Sequence, residues 1–276
     1  MIKVSDISFS YGSKPCLEHI SLQLDKGSIY GLLGENGVGK TTLLTLLSGL
    51  KKVQKGSIDI DGYNPYGRNP VFLQKLIYLP ETVSPVPLKA SLFAQFDGVF
   101  RPDFSAEVFN ELMDIFEMDP SQRMDCMSSG QLKKTYIAFA LSCRPEYLFL
   151  DEPTNGLDIP SKAQFRKAML SCTREDSTIV VSTHQVKDLE NIIDPVIILD
   201  NRDVLLNASL EKIADKLYFD YGSAPIQDCL YQEQMPGGLL QVCLNTGGRP
   251  SKVSIEALFN TAHKNKELIK GIFSNE

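Results

Sequence analysis

The chain has 276 residues, 43% of them hydrophobic and 22% charged, a composition that excludes extended disorder, a coiled-coil rod and a collagen-like fibre. Its 28 basic and 34 acidic residues leave a formal net charge of −6. The positive field that gathers DNA, RNA or anionic lipid is therefore lacking, and nucleic acid is not expected as a partner.

A chain of this length can bury a core that needs neither disulfide nor metal to fold. The opening segment MIKVSDISFS has neither the basic nor the apolar stretch of a signal peptide. No run approaches the ~20 apolar residues of a membrane helix. The six cysteines (Cys16, Cys126, Cys143, Cys172, Cys229 and Cys243) are scattered without a CxxC pair. They read as reduced, mostly buried thiols of a cytosolic protein.

In chain order, Ile2–Phe9 and His19–Leu24 alternate apolar and polar residues, as does Ser57–Ile60 before the Asp61-Gly62 turn. Period two with one wet face predicts an antiparallel sheet. Ser28–Leu33 is an apolar strand running into a glycine-rich loop, and Thr41–Leu50 is a leucine-rich helix closed near Gly49. Leu76–Leu79 is a short buried strand. Residues 83–145 form a helical insertion, rich at first in proline and phenylalanine. Within it Ser105 precedes a helix with Val108, Leu112 and Ile115 on one face and Phe109, Met113 and Phe116 beside them. A second helix starts near Ser128 and carries Leu132, Tyr136, Ala140 and Cys143 as a buried stripe.

Tyr147–Asp151, Thr178–Ser182 and Val196–Leu199 are short branched apolar runs separated by helices at Pro160–Leu170 and Gln185–Ile193. Alternation of this kind predicts a parallel sheet with ligands at the carboxyl ends of its strands. Beyond Ala214, strands at Leu217–Tyr221 and Leu239–Leu244, turns at Gly237-Gly238 and Gly247-Gly248, and a closing helix at Ser254–Lys266 suggest a small accessory domain over 215–276.

The sharpest motif is Gly34-Glu35-Asn36-Gly37-Val38-Gly39-Lys40-Thr41, which fits GxxxxGK[ST] between a strand and a helix. Its glycines let backbone N–H groups face an anion, and the helix N-terminus adds partial positive charge. Lys40 neutralises the β- and γ-phosphates of a nucleotide, and the Thr41 hydroxyl is a ligand for Mg²⁺. The second motif, Tyr147-Leu-Phe-Leu-Asp151-Glu152, delivers two carboxylates to a strand end. Asp151 suits Mg²⁺, and Glu152 suits a water attacking the γ-phosphate.

With Met127-Ser128-Ser129-Gly130-Gln131 and Ser182-Thr183-His184 added, the chain resembles the nucleotide-binding subunit of ATP-binding cassette transporters over about residues 2–214. The resemblance implies an α/β fold of P-loop NTPase type: a mixed, mainly parallel core sheet, an antiparallel β subdomain, the helical insertion and a small C-terminal α+β domain. It implies ATP and Mg²⁺, with the loop from Gly34 through Thr41 and Thr42 around the phosphates. By the same resemblance Tyr11 stacks on adenine, and Met127–Gln131 is the signature sequence. Asp158, in Asn155-Gly-Leu-Asp158, communicates between two sites, and His184 contacts the γ-phosphate. Ser128 also reads as the cap of a second helix tip suited to phosphate. The resemblance places Ser128, Gly130 and Gln131 against ATP held by another copy, in a head-to-tail dimer, with a homodimer expected.

Two residues depart from the family pattern. Glu81 stands where glutamine is usual, and a carboxylate ~4 Å from a phosphate charge costs up to roughly 4 kcal/mol at an effective dielectric of 20. Glu81 is thus expected to bind Mg²⁺ or its water, or to stay turned away until a partner docks. Ser129 replaces a glycine of the signature. The expected function is an ATPase subunit powering a separate membrane permease of exporter type, held at the inner face of the cell membrane. Docking is expected near Glu81–Phe96 through Val83, Val86, Leu88, Leu92, Phe93 and Phe96. A regulatory subunit with little hydrolysis and a soluble cassette ATPase outside transport are the alternatives.

Overall fold

The computed structural model describes residues 1–172 and 174–273, without the side chain of Cys172. Alternating residues build the first sheet as the sequence predicts. β1 (Ile2–Tyr11) pairs antiparallel with β2 (Lys14–Leu24) and, on its other edge, with β4 (Lys55–Ile60). Between them β3 (Ile29–Leu33) runs into the glycine loop and α1 (Lys40–Leu47). Gly49 ends that helix with φ 71°, a left-handed conformation that glycine adopts at little cost.

A short α2 (Pro70–Lys75) leads to β5 (Leu76–Leu79), and the insertion follows as α3 (Ala90–Gly98), α4 (Ala106–Ile115) and α5 (Ser129–Ser142). Ser105 caps α4 by accepting from the Val108 N–H at 3.2 Å. Both predicted stripes are apolar contacts: Phe109, Leu112, Met113 and Phe116 are buried, with Val108 and Ile115 partly so. β6 (Tyr147–Asp151), α6 (Ile159–Cys172), β7 (Thr178–Thr183) and β8 (Val196–Asp200) complete the parallel core. The six-stranded sheet has the order β5-β6-β7-β3-β8 and then β9 (Asp203–Ala208), which pairs antiparallel with β8.

Adjacent residues of these strands face opposite layers. Tyr147 and Phe149 pack with α1 and the antiparallel sheet, whereas Leu148 and Leu150 pack with the helices of the insertion. Farther on come α7 (Leu210–Lys216), β10 (Leu217–Gly222), β11 (Tyr231–Met235), β12 (Gly238–Leu244), α8 (Ile255–Lys264) and α9 (Lys266–Phe273). These strands form a separate antiparallel sheet of order β10-β12-β11. Leu217, Val242, Leu258 and Ile269 belong to the same apolar core as Val196 and Leu205 of the large sheet.

Three expectations require correction. Gln185–Ile193 is not a helix but a single 3₁₀ turn, Val186–Asp188, followed by turns. Tertiary bonds fix that turn: Lys162 pairs with the Asp188 carboxylate at 2.7 Å, and Arg166 donates to the Asp188 carbonyl at 3.2 Å. The closing helix ends at Lys264, and α9 follows it. The cysteines are not all free thiols, because Cys229 and Cys243 are joined as a disulfide with Cα atoms 4.4 Å apart. The β11–β12 hairpin folds them together from 14 residues apart. Cys143 is a buried thiol as expected, and Cys126 is exposed; the Cys172 side chain lies outside the described residues. Among the described residues no helix is long and apolar enough to cross a membrane.

A polar anchor ties the antiparallel sheet to the core sheet. Asp61, beyond the end of β4, accepts from the buried Tyr147 hydroxyl at 2.6 Å and pairs with Lys26 and the Met1 ammonium. Burial by itself would raise the Asp61 carboxyl, but hydrogen bonds from Lys26, the Met1 ammonium and Tyr147 outweigh it and hold the group well below the usual carboxylate range. A depressed folded-state pKa stabilises above the unfolded value of about 4 and is lost as pH falls through the folded value. Asp61→Asn is therefore expected to lower Tm at neutral pH and to flatten the Tm profile between about pH 4 and pH 2. Identical profiles for the two proteins would show that the anchor contributes nothing.

Candidate active site

Three parallel strands end side by side, and their register decides what meets. β3 lies against β7 with Leu33 opposite Thr183, and β6 lies against β7 with Asp151 opposite Ser182. The glycine loop, the Asp151-Glu152 pair and His184 thus emerge at one edge. Gly34 is required there: a Cβ would stand 2.8 Å from the Leu199 carbonyl oxygen. Gly39 has φ 120° and would press a Cβ to 2.7 Å from Leu17 Cδ2. Gly39 also caps α1 without any side-chain acceptor, so the first N–H groups of the helix are open to an anion.

A cavity of about 660 Å³ lies at this edge. Its lining includes Tyr11, Asn36, Gly37, Val38, Gly39, Lys40, Thr41, Thr42, Glu81, Glu152 and His184. Gly34 and Glu35 do not line it; their carbonyl oxygens accept from Lys40 Nζ at 2.7 and 3.2 Å. Lys40 Nζ is also 3.2 Å from Glu152 Oε1, with both side chains nearly sealed from solvent, at 6% and 7% exposure. The other Glu152 oxygen lies 2.9 Å from His184 Nδ1. Glu152 thus stands between a cation and an imidazole, with a nucleotide-sized space alongside.

The Glu152 backbone has φ 46°, a left-handed conformation uncommon for a long side chain. Its N–H donates to the Ser182 hydroxyl at 3.0 Å and approaches the Ser182 carbonyl at 3.2 Å. Ser182 also donates to Asp151 Oδ1 at 2.6 Å, while the Tyr78 hydroxyl donates to Oδ2 at 3.4 Å. Burial first, and then the Asp151 charge, push the Tyr78 phenol up, so it stays a proton donor. Tyr11 stands at the cavity mouth, its hydroxyl 3.2 Å from Thr42 Oγ1 and its ring 4.8 Å beneath Lys51 Nζ.

The remaining sequence-predicted residues lie elsewhere. Ser128 caps α5 in a reciprocal capping box: its hydroxyl accepts from Gln131 N–H at 3.3 Å, and Gln131 Oε1 accepts from Ser128 N–H at 3.0 Å. Ser129 and Gly130 line a second cavity of about 450 Å³, not the first. Asp158 caps α6 by accepting from Ser161 N–H at 2.9 Å, and that bonding lowers its carboxyl. Glu81 borders both cavities and is turned toward Asn155, whose Nδ2 donates to Glu81 Oε1 at 2.6 Å. Sequence reasoning missed Lys133, a buried lysine of α5 that reaches the Glu152 loop.

Among the described residues no cluster of three or more His, Cys, Asp or Glu side chains could hold a metal by itself. Mg²⁺ does not need one, because it binds through one or two carboxylates, waters and phosphate oxygens. Asp151 and Thr41 are donors of that kind; Glu81, expected as a further one, is turned instead to Asn155. Ser182 serves both acidic residues, so Ser182→Ala is expected to destabilise the protein by about 1–3 kcal/mol and to lower ATP turnover. Denaturant titration beside an ATPase assay measures both, and native values in both would remove Ser182 from the site.

The family model described as "ABC transporter" matches residues 17–155. The ABC transporter ATP-binding protein NatA of Bacillus subtilis (strain 168) is 31% identical, over 77% of this chain and 91% of its own length. The bacitracin transport ATP-binding protein BcrA of Bacillus licheniformis is also 31% identical, over 74% of this chain and 68% of its own length. A solved structure, titled as the ATP binding subunit of an ABC transporter, superposes with a TM-score of 0.69 and 25% identity, over 77% of this chain and 91% of that one. The cassette MJ0796, in a dimeric post-hydrolysis state with ADP and Pi, shares the fold at a TM-score of 0.66 and 22% identity, over 76% and 99%. Family model and relatives agree: this chain belongs to the ABC transporter family, as an ATP-binding ATPase subunit.

Proposed function

We propose that two copies of this chain close head to tail on two ATP molecules and thereby drive a separate, exporter-type permease. The observation that carries the ATPase part is Glu152, held between Lys40 and His184 at the rim of the nucleotide-sized cavity. Backbone N–H groups from Gly34 to Thr42 cradle the phosphates, and Lys40 exchanges the Glu152 carboxylate for phosphate oxygens. Tyr11 offers its ring to adenine. Water attacks the γ-phosphorus in line, forming the new P–O bond as the bond to the β–γ bridging oxygen breaks. Glu152 takes up the water's proton, and His184 orients Glu152 and the γ-phosphate. Thr41 and Asp151 would hold Mg²⁺, which supplies charge neutralisation for the phosphates, while Glu81 stays turned to Asn155.

Dimer closure rests on the α5 tip. Its capped N-terminus with Ser128, Gly130 and Gln131 is not part of its own glycine loop's cavity, so a second copy's phosphate completes it. Asp158, exposed at the start of α6, is assigned to the same contact between copies. For the permease, the exposed anchors are Leu92 and Phe96, joined by Val99 at 81% and Phe100 at 70% exposure. Phe93 is not among them, since it packs internally against Tyr136 and Phe139. The short insertion, Glu81 in place of glutamine and the accessory domain over 215–276 support the exporter reading. Attachment through a permease places the chain at the inner face of the cell membrane.

Glu152→Gln is expected to keep ATP binding, trap a dimer and lower kcat by about 10²-fold or more, as loss of a general base does. Size-exclusion chromatography with ATP and a phosphate-release assay measure this, and native turnover would remove Glu152 from the role. Lys40→Ala is expected to weaken ATP binding by about tenfold or more, for the loss of a charge-assisted contact. Unchanged affinity in equilibrium titration would contradict the phosphate cradle.

A further inference from the structure

We propose that Lys133 is a positioning residue for Glu152: its buried ammonium clamps the loop from Glu152 to Asn155 and offsets the carboxylate that Glu81 brings beside that loop. Lys133 is 7% exposed, and a buried ammonium persists only where fixed acceptors or anions compensate its lost hydration. Both kinds are present. Lys133 Nζ donates to the Glu152 carbonyl at 3.0 Å and to the Asn155 carbonyl at 2.9 Å. Burial lowers its pKa, against the opposing charges of Glu81, Glu152 and Asp151.

The clamp acts where the backbone is least comfortable. Glu152, at φ 46°, is fixed on its N–H side by Ser182. On its carbonyl side the Asn155 N–H donates at 3.2 Å, and Lys133 closes the same oxygen. Releasing Lys133 leaves the Glu152 carbonyl held by the Asn155 N–H alone, a looser grip on the peptide whose orientation sets where the carboxylate points relative to Lys40 and His184. A displacement of about 1 Å at a reacting group costs up to 10²-fold in rate.

Asn155 carries the connection onward. Its carbonyl accepts from Lys133, and its Nδ2 donates to Glu81 Oε1 at 2.6 Å. Lys133, Asn155 and Glu81 thus form one chain from the signature helix to the segment that precedes the exposed apolar patch of α3. Glu81 adds a negative charge where the family has a neutral amide, beside Asp151 and Glu152. Lys133 supplies the matching positive charge, so the two residues act as a compensated pair.

This inference rests on Glu152 as the group that activates water. Steady-state Mg·ATP hydrolysis by the purified full chain tests it, with equilibrium ATP binding and Tm measured alongside. Lys133→Met is expected to lower kcat by about tenfold or more with KM for ATP within about twofold, as displacement of a reacting group predicts. Lys133→Arg, still cationic, retains more of kcat than Lys133→Met. Glu81→Gln added to Lys133→Met restores kcat by about threefold or more, the non-additivity expected of coupled charges. If Lys133→Met does not fold, Lys133→Gln, which can still donate to one carbonyl, serves in the same comparison. A kcat within about twofold of native in the neutral variant, or no recovery on adding Glu81→Gln, overturns the proposal. Native turnover in Glu152→Gln would instead remove the reading beneath it, whatever Lys133 does.

Discussion

Two buried opposite charges, Lys40 at the start of α1 and Glu152 just past β6, can meet only if β3 and β6 are held in fixed register. Neither charge would tolerate burial alone, and each compensates the other at 3.2 Å. The strand between them, β7, does the spacing: it pairs with β3 on one side and β6 on the other and sends His184 to the same edge. The apolar layers on both faces of the sheet are what keep that register. A slip of one residue would turn Tyr147 and Phe149 into the layer that holds Leu148 and Leu150.

Around this edge the chain places two cavities that share Glu81 and Asn155. One is bordered by the glycine loop and the other by the tip of α5. Short polar links around Asn155 thus join the two cavities. Those links are the Asn155 amide donating to Glu81 and the Asn155 carbonyl accepting from Lys133, while along the chain from Glu81 the Ser84 carbonyl accepts from the Tyr136 hydroxyl at 2.8 Å. A permease on the apolar side of α3 would press on the same segment.

Much of this was legible in the residues because the signals were local. A glycine loop between an apolar strand and a leucine-rich helix, serines heading α4 and α5, and period-two runs each specify a short piece of backbone through sterics and capping. The failures had a common cause. Gln185–Ile193 has a helical apolar spacing, yet Lys162 and Arg166 of another helix claim Asp188 and stop it after one turn. Phe93 looked like a free anchor because its α3 neighbours are exposed, but two aromatic rings of α5 enclose it. Cys229 and Cys243 carried no spacing signal, and a hairpin brought them together.

The phosphate-binding loop, the acidic strand end, the capped signature helix and the α/β class are written in the residues, since each follows from neighbours a few positions apart. Which distant groups touch depends on packing across the fold: Lys40 with Glu152, Glu81 with Asn155, and Lys133 with the carbonyls of Glu152 and Asn155. A lysine on a helix reads the same whether it faces water or a buried carbonyl. What distinguishes the two is the packing of α5 against the end of β6, which no local pattern encodes.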